Sequence, residues 1–535
     1  MIGIVLLFVL FFFYLVFVFA NLTTTFDDAY MFLRYADNVL NGHGIAWNPD
    51  GVQTYGATSL LYLLLIVLGR GLFSQVDGSA ILVITSSVLG LTSLILMAVG
   101  GNSSAASEFF KSHRLALPLL LAFFFFLSPT FLFHATSGMD TTLAMLCNTL
   151  LIFAVMNWTA KQNAGSTAWL VLAAYASFLA RPDNLIYAIM FPVIYGYFFH
   201  REQRMRMLVQ FLAALIGVIA LDTLVKYFIF GDPLPLPFYA KTVGYDEGYA
   251  GAFRWNPVAY LFDLLRALLP FLLFFIFSIS KQTRTLAAAF FVPAAFTFAY
   301  YFSVTQIMGF GGRYYFPSMP FFVIGGFLML DLMLQRTSGV EAFKQPIRIS
   351  TSIVVLLFLF LPPVRTFLEN AYERYFIRTA NIYESDMVKE VETALPELGW
   401  WESINIMADI SSQLPAGTRV SMSEYGLVGA SAPQIVIIDP LGLHDPYFAH
   451  NGFSSAEFFS REPDLIWFPN PDYTKIVASI QDDPTLWQEY DYYPGTFDYG
   501  IAIRKDAGDI REIVEQAWSE TYPDVVMSPL LADQP

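Results

Sequence analysis

The sequence predicts a polytopic α-helical membrane protein that ends in a soluble α/β domain, and three observations predict it. Apolar residues come in blocks separated by short polar loops from residue 1 to about 364, and many blocks approach the ~20 residues that cross a bilayer. Only 14% of the chain is charged and 56% is hydrophobic, where a soluble domain carries about 25% charge. Beyond residue 364 the composition becomes that of an ordinary soluble domain. The expected division is therefore a membrane part, 1–364, with a first outer loop at 22–57, and an extracytoplasmic part, 365–535.

The apolar runs place spans near 2–21, 58–74, 79–100, 116–134, 141–157, 168–180, 184–199, 207–230, 257–280, 286–304, 315–334 and 349–364. The first run lacks a basic start and is longer than the core of a cleaved leader, so it reads as an uncleaved span. In the loop after it, Ala29, Phe32, Leu33, Ala36 and Leu40 recur at helical spacing, with Asp27, Arg34, Asn38 and Asn41 on the other face. That is an amphipathic helix able to lie in the interface plane. Asn41-Gly42-His43-Gly44 ends it, and Pro49-Asp50-Gly51 turns the chain.

Basic residues mark the cytoplasmic side. They fall at Arg201, Arg204 and Arg206, at Lys281 and Arg284, and at Arg336, Lys344 and Arg348. Alternating from these loops puts Ser137–Asp140, Arg181–Asp183, 231–256, 305–314 and everything after 364 outside. Counting forward from a cytoplasmic residue 1 leaves the stretch 58–134 one span out of register. Leu60–Phe73, interrupted by Gly69-Arg70-Gly71, is the candidate for a short, re-entrant or misread segment. In the last part, Arg419–Ser423, Ile435–Asp439, Leu465–Phe468 and Gly500–Arg504 read as strands, with helices at Val388–Ala394 and Ala456–Phe459.

The net charge of −15 argues against a nucleic-acid partner, which needs a basic footprint. Cys147 is the one cysteine, so no intrachain disulfide forms, and its apolar setting makes it a small core residue. There is no nucleotide-phosphate loop, no zinc-spaced Cys/His cluster and no nucleophile elbow. Asp222 and Lys226, like Asp263 and Arg266, stand one helical turn apart as structural ion pairs.

Polar groups at the outer surface carry the chemical reading. Charge near hydrocarbon is costly, so adjacent Asp27 and Asp28 at the end of a span point to use. A carboxylate there can take the proton of an attacking hydroxyl, a contribution of ~10²–10⁴-fold, while cations or a metal ion stabilise a leaving phosphate. The loops on that side supply the acids Asp27, Asp28, Asp140 and Asp183. They also supply the cations Lys241, Arg254, Arg313 and Arg181, with His43 and His134 as further polar groups. Asp27 or Asp28 acting only as a helix cap, and Arg181-Pro182-Asp183 as a turn with an internal ion pair, are the structural alternatives. An enzyme embedded in a membrane without nucleotide machinery points to a membrane-borne activated donor.

The motifs Asp27-Asp28-Ala29-Tyr30-Met31-Phe32-Leu33-Arg34-Tyr35-Ala36, Asn41-Gly42-His43-Gly44, Trp47-Asn48-Pro49 and Tyr55-Gly56-Ala57-Thr58-Ser59 together resemble a known group. So do Ser137-Gly138-Met139-Asp140, Arg181-Pro182-Asp183, Gly231-Asp232-Pro233-Leu234-Pro235, Phe238-Tyr239-Ala240-Lys241-Thr242, Arg313-Tyr314-Tyr315-Phe316-Pro317 and Ile438–Pro446 with His444. The set is similar to polytopic glycosyltransferases of the C-type (GT-C) fold, above all the terminal arabinofuranosyltransferases of actinobacterial cell walls and their bacterial relatives. Leu236-Pro237 and Met139-Asp140 depart from the usual Asn-Thr and Leu-Glu. The resemblance implies a bacterial plasma-membrane enzyme with its active site outside. It implies a polyprenyl-phosphate sugar donor, arabinofuranose among the candidates, and a glycan or lipid acceptor held with help from the C-terminal domain. Asp27 and Asp28 would carry the base, and with Asp140 a divalent cation (Mg, Mn or Ca). Lys241, Arg313 and Arg181 would hold the donor phosphate and Tyr239 would stack on a sugar. Asp140, Asp183, His43 and His444 would support the site or the acceptor. A protein O-mannosyltransferase-like enzyme and a transporter or flippase of lipid-linked glycan are the alternative readings.

Overall fold

The structure is a computed structural model that describes residues 2–24, 26–199, 204–243, 256–277, 283–303, 309–337 and 398–530. The expected span at 349–364, the helix Val388–Ala394 and the cation Arg254 lie outside the described residues. Helices dominate up to residue 337. In order they are α1 (Ile2–Ala20), α2 (Asp27–Leu40), α3 (Leu60–Leu72), α4 (Gly78–Ser104), α5 (Glu108–Ser112), α6 (Ala116–Phe126), α7 (Pro129–Thr136) and α8 (Thr141–Lys161). They continue as α9 (Ala164–Ala180), α10 (Leu185–Phe199), α11 (Arg204–Phe230), α12 (Leu236–Val243), α13 (Asn256–Phe277), α14 (Arg284–Tyr301) and α15 (Met319–Thr337). These follow the apolar runs of the sequence closely.

Among the described residues, five stretches are long and apolar enough to cross a membrane: α1, α4, α8, Met205–Phe230 in α11, and Phe316–Gln335 around α15. The protein is therefore a multi-pass helical membrane protein. α6 and α7 make a sixth span if taken together, bent by 76°. The bend has a local cause. Ser128 caps α7 by accepting from Phe131 N–H, and Pro129 starts it, so the chain restarts rather than continuing. α3 and α9 are apolar but shorter.

The chain folds into two compact units. The first comprises Met1–Leu22, Val83–Ala220 and Ala252–Ser385, over their described residues. Its core is aromatic and aliphatic, with few polar ties. Tyr14 stacks on Phe126 at 4.7 Å and donates to the Ser87 carbonyl at 2.8 Å. Asn148, fully buried in α8, accepts from Ser177 on α9 at 2.6 Å and donates to the Pro317 carbonyl at 2.8 Å. Such a polar node is tolerated inside because its amide is satisfied. Asp331 of α15 accepts from the N–H groups of Ala106 and Ser107 at 2.6 and 3.1 Å.

The second unit comprises Thr23–Leu82, Leu221–Gly251 and Asp386–Pro535, again over described residues. In this unit the first outer loop and α12 pack with the C-terminal domain. The remaining helices are α16 (Trp400–Gln413), α17 (Gly426–Ser431), α18 (Pro446–Asn451), α19 (Ser455–Ser460), α20 (Thr474–Gln481), α21 (Pro484–Glu489) and α22 (Gly508–Thr521). The strands are β1 (Arg419–Ser421), β2 (Val436–Ile438), β3 (Leu465–Trp467), β4 (Tyr490–Tyr493) and β5 (Ile501–Arg504), ordered β2-β1-β3-β5-β4. β1, β2 and β3 are parallel; β5 pairs antiparallel with β3 and β4. The four strands read from sequence are present. β4 is less legible because its aromatic run follows the polar Gln488-Glu489 and carries Asp491.

α2 differs from expectation in one respect. Its apolar stripe packs on α3, with Phe32 edge-on to Tyr62 at 4.9 Å. Its polar face is not solvated, however: Asp27, Arg34 and Asn38 are all buried. Asn38 donates to the carbonyls of Ala46 and Trp47 within the loop, whereas Asp27 and most of the Arg34 fork are met by residues 426–435 of the C-terminal domain.

Candidate functional site

In the second unit, α2 and α17 run side by side, and α2 grips both ends of α17. Asp27 accepts from Gly426 N–H and Leu427 N–H at 2.8 Å each, which places a carboxylate on the first donors of that helix. Two turns on, Arg34 gives all five of its N–H groups away. They reach the carbonyls of Trp47, Gly429, Ala432 and Ile435 and the Asn48 amide oxygen, at 2.7–3.1 Å. Asn48 also pairs with Ile437, accepting at 2.9 Å and donating at 3.0 Å. Only glycine fits at 426, because a Cβ there would collide with the Asp27 carbonyl.

Asp28, next to Asp27, is half-buried. Both act electrostatically on Glu424, which stands at the carboxyl end of parallel strand β1. The Asn470 amide nitrogen donates to Glu424 at 3.3 Å and to Tyr499 Oη at 3.1 Å. Trp400 gives Glu424 a further hydrogen bond. Burial, with help from Asp27, pushes the Glu424 carboxyl up to about 8. Burial likewise pushes Asp27 up to about 6, against the N–H groups of Leu427 and Gly426, which hold it down. Sequence reasoning missed Glu424. Its signal was an acid at the carboxyl end of a parallel strand, where open α/β sheets bind ligands.

His444 stands inside the second unit, in contact with the first loop. It is buried, stacked on Trp47 with ring centres 3.9 Å apart, and meets Tyr35 Oη through Nδ1 at 2.9 Å. Burial pushes its imidazole well below the usual value, so it stays neutral. His43 lies half-buried in the turn after α2, its backbone bonded to Asn38 and Gln53. Tyr239 and Lys241 sit half-buried on α12. α12 packs on α18 through Leu236, Ala240 and Ala449. There Tyr239 lies 4.3 Å from the His450 ring, and His450 pairs with Asp232 at 2.9 Å.

The first unit brings a second polar cluster together. Arg181 is bound by Asp183 at 2.7 Å and by Asp140 at 3.7 Å, over the Tyr314 ring at 5.5 Å. Tyr301 donates to Asp183 at 2.6 Å. Two carboxylates therefore share the Arg181 guanidinium, which is an ion-pair hub in this unit. His134 meets the Gly311 carbonyl at 2.9 Å, and Arg313 and Arg181 are within electrostatic reach of it. Arg313 follows Gly311 and Gly312, whose φ of 64° and 72° put two successive residues in the left-handed region and turn the backbone sharply.

Among the described residues, no three acidic, histidine or cysteine side chains come together as a metal ion requires. Both oxygens of Asp27 are engaged by backbone N–H groups. The donor set around Asp27 and Asp28 does not fit a resident divalent cation. Fold and sites define a multi-pass helical membrane protein whose small α/β domain is built around its first polar loop. No protein-family model matches the chain, and no curated protein matches it.

Proposed function

We propose that the protein is an inverting membrane glycosyltransferase of the GT-C kind. It would move a sugar from a polyprenyl-phosphate donor to an extracytoplasmic glycan or lipid acceptor at the bacterial plasma membrane. One observation carries this reading. Asp28 stands at the start of α2, a few residues after the end of α1, half-buried and within reach of a carboxyl from the α/β domain. A carboxylate at a membrane surface, beside a soluble domain, suits a reaction between a lipid-borne donor and a polar acceptor.

In this reaction the acceptor oxygen attacks the anomeric carbon from the face opposite the phosphate. Its proton passes to Asp28 Oδ, and the bond from the anomeric carbon to the phosphate oxygen breaks. Asp27 is the positioning residue that fixes the start of α2, since its own oxygens are engaged. Lys241, in the same unit as Asp28, is the cation assigned to the departing phosphate, and Tyr239 the ring for a sugar face.

The test is transfer from a panel of polyprenyl-phosphate sugars, arabinofuranose included. Asp28→Asn is expected to lose ~10²–10⁴-fold in rate with the protein still folded. Undiminished transfer by folded Asp28→Asn would remove the base and with it the mechanism.

A further inference from the structure

We propose that α3 does not cross the bilayer but lies embedded in its surface, on the same side as Asp27. This does not depend on the glycosyltransferase reading, only on the chain being a multi-pass membrane protein.

Three features of the second unit point there. α3 has 13 residues, about 20 Å at ~1.5 Å per residue, where the hydrocarbon core is about 30 Å thick. It runs alongside α2 over its whole length. Phe32 meets Tyr62 near its start, and at its end Arg70 makes a two-pronged pair with Asp37 at 2.9 and 3.2 Å. Both ends of α3 are therefore level with a helix whose other face is covered by the α/β domain. Third, Thr24 N–H donates to Ser79 Oγ at 2.9 Å, and Tyr30 Oη meets the same hydroxyl at 3.1 Å. The chain leaving α1 and the chain entering α4 are tied together there, so no net crossing occurs between them.

The far end of α4 supplies an independent check within the first unit. Ala106 and Ser107, just beyond α4, bond to Asp331 near the end of α15. The basic residues after α15 mark that end as cytoplasmic. The loop 105–115, with Lys111 and Arg114, is then cytoplasmic too, and α4 crosses once, from Ser79 inward. With α3 removed from the count, Ser137–Asp140 return to the outside, as the other basic loops require.

The occupant of the outer face of α3 is hydrocarbon. Leu64, Leu68 and Leu72 form one i, i+4 stripe with 60%, 57% and 66% of their surface open, continued by Phe73 at 60%. Tyr62, Leu63 and Ile66, on the opposite side, are buried. An apolar stripe of this kind, flanked by an arginine and running directly into a spanning helix, belongs in the acyl and headgroup boundary.

Single cysteines at Val52, Gln75 and Ser112 test the topology in intact cells, with buried Cys147 as the one native thiol. A membrane-impermeant maleimide is expected to label Val52→Cys and Gln75→Cys under the same condition, and Ser112→Cys only under the opposite one. Gln75→Cys labelling together with Ser112→Cys would overturn the proposal. A nitroxide on Leu68→Cys in reconstituted vesicles tests the lipid contact. Relaxation dominated by dissolved oxygen is expected, whereas relaxation dominated by an aqueous nickel chelate would overturn it.

Discussion

A carboxylate that accepts two backbone N–H groups at a helix start is a structural anchor first, and each such charge-assisted bond contributes ~1.5–3 kcal/mol. Asp27 has this geometry. Asp27→Ala is therefore expected to destabilise the second unit by about 2–4 kcal/mol, read as a lower melting temperature of the purified protein in detergent. Asp28→Asn should cost less stability and more activity, and the contrast separates anchor from base. Protonation adds a second expectation. Glu424 and Asp27 bind their protons more tightly folded, with values of about 8 and about 6, than the ~4 of an unfolded carboxyl. The folded state binds more protons, so stability is fullest in acid and is lost as pH rises from about 4 to about 8. Melting at pH 6 should exceed melting at pH 8, and Glu424→Gln should flatten that difference.

The helix α17 is held by its ends, Asp27 at its first N–H groups and Arg34 at its last carbonyls. Arg34→Lys keeps the charge but supplies three donors in place of a five-donor fork, and it strands buried carbonyls. It is expected to destabilise by ~3–5 kcal/mol, with earlier proteolysis at 426–437 as the readout. The apolar stripe of α2 was legible because Ala29, Phe32, Leu33, Ala36 and Leu40 repeat at helical period. The burial of its polar face was not, since nothing local tells a solvated arginine from one whose carbonyl partners are 395 residues away. The same holds for His444, whose contacts with Trp47 and Tyr35 join positions about 400 residues apart. Arg181-Pro182-Asp183 was legible in both of its readings, and the ion pair is the one the geometry supports.

At the level of the whole molecule, hydropathy announced the helices and strand patterning announced the sheet, but the partition of the chain followed neither. The unit that holds the α/β domain also takes in Thr23–Leu82. Residues 398–530 on their own would leave the N–H groups of Gly426 and Leu427 and the carbonyls of Gly429, Ala432 and Ile435 without their partners. That fragment is expected to unfold with low cooperativity or aggregate, and adding residues 23–82 in trans should sharpen its melting. Equal, cooperative melting of the fragment alone would show that the first loop is dispensable to the fold.

The reach of Arg34 across 395 residues also sets a schedule for biogenesis. At ~5–20 residues per second the ribosome needs about 20–80 s to deliver Gly429 after Arg34 has emerged. Until then α2 must wait with its charged face uncovered, while the helices between are threaded into the bilayer. A nascent chain stopped anywhere before that point would carry an arginine that has met Trp47 and Asn48 but lacks the carbonyls of Gly429, Ala432 and Ile435, a signal by which quality control could tell unfinished protein from complete.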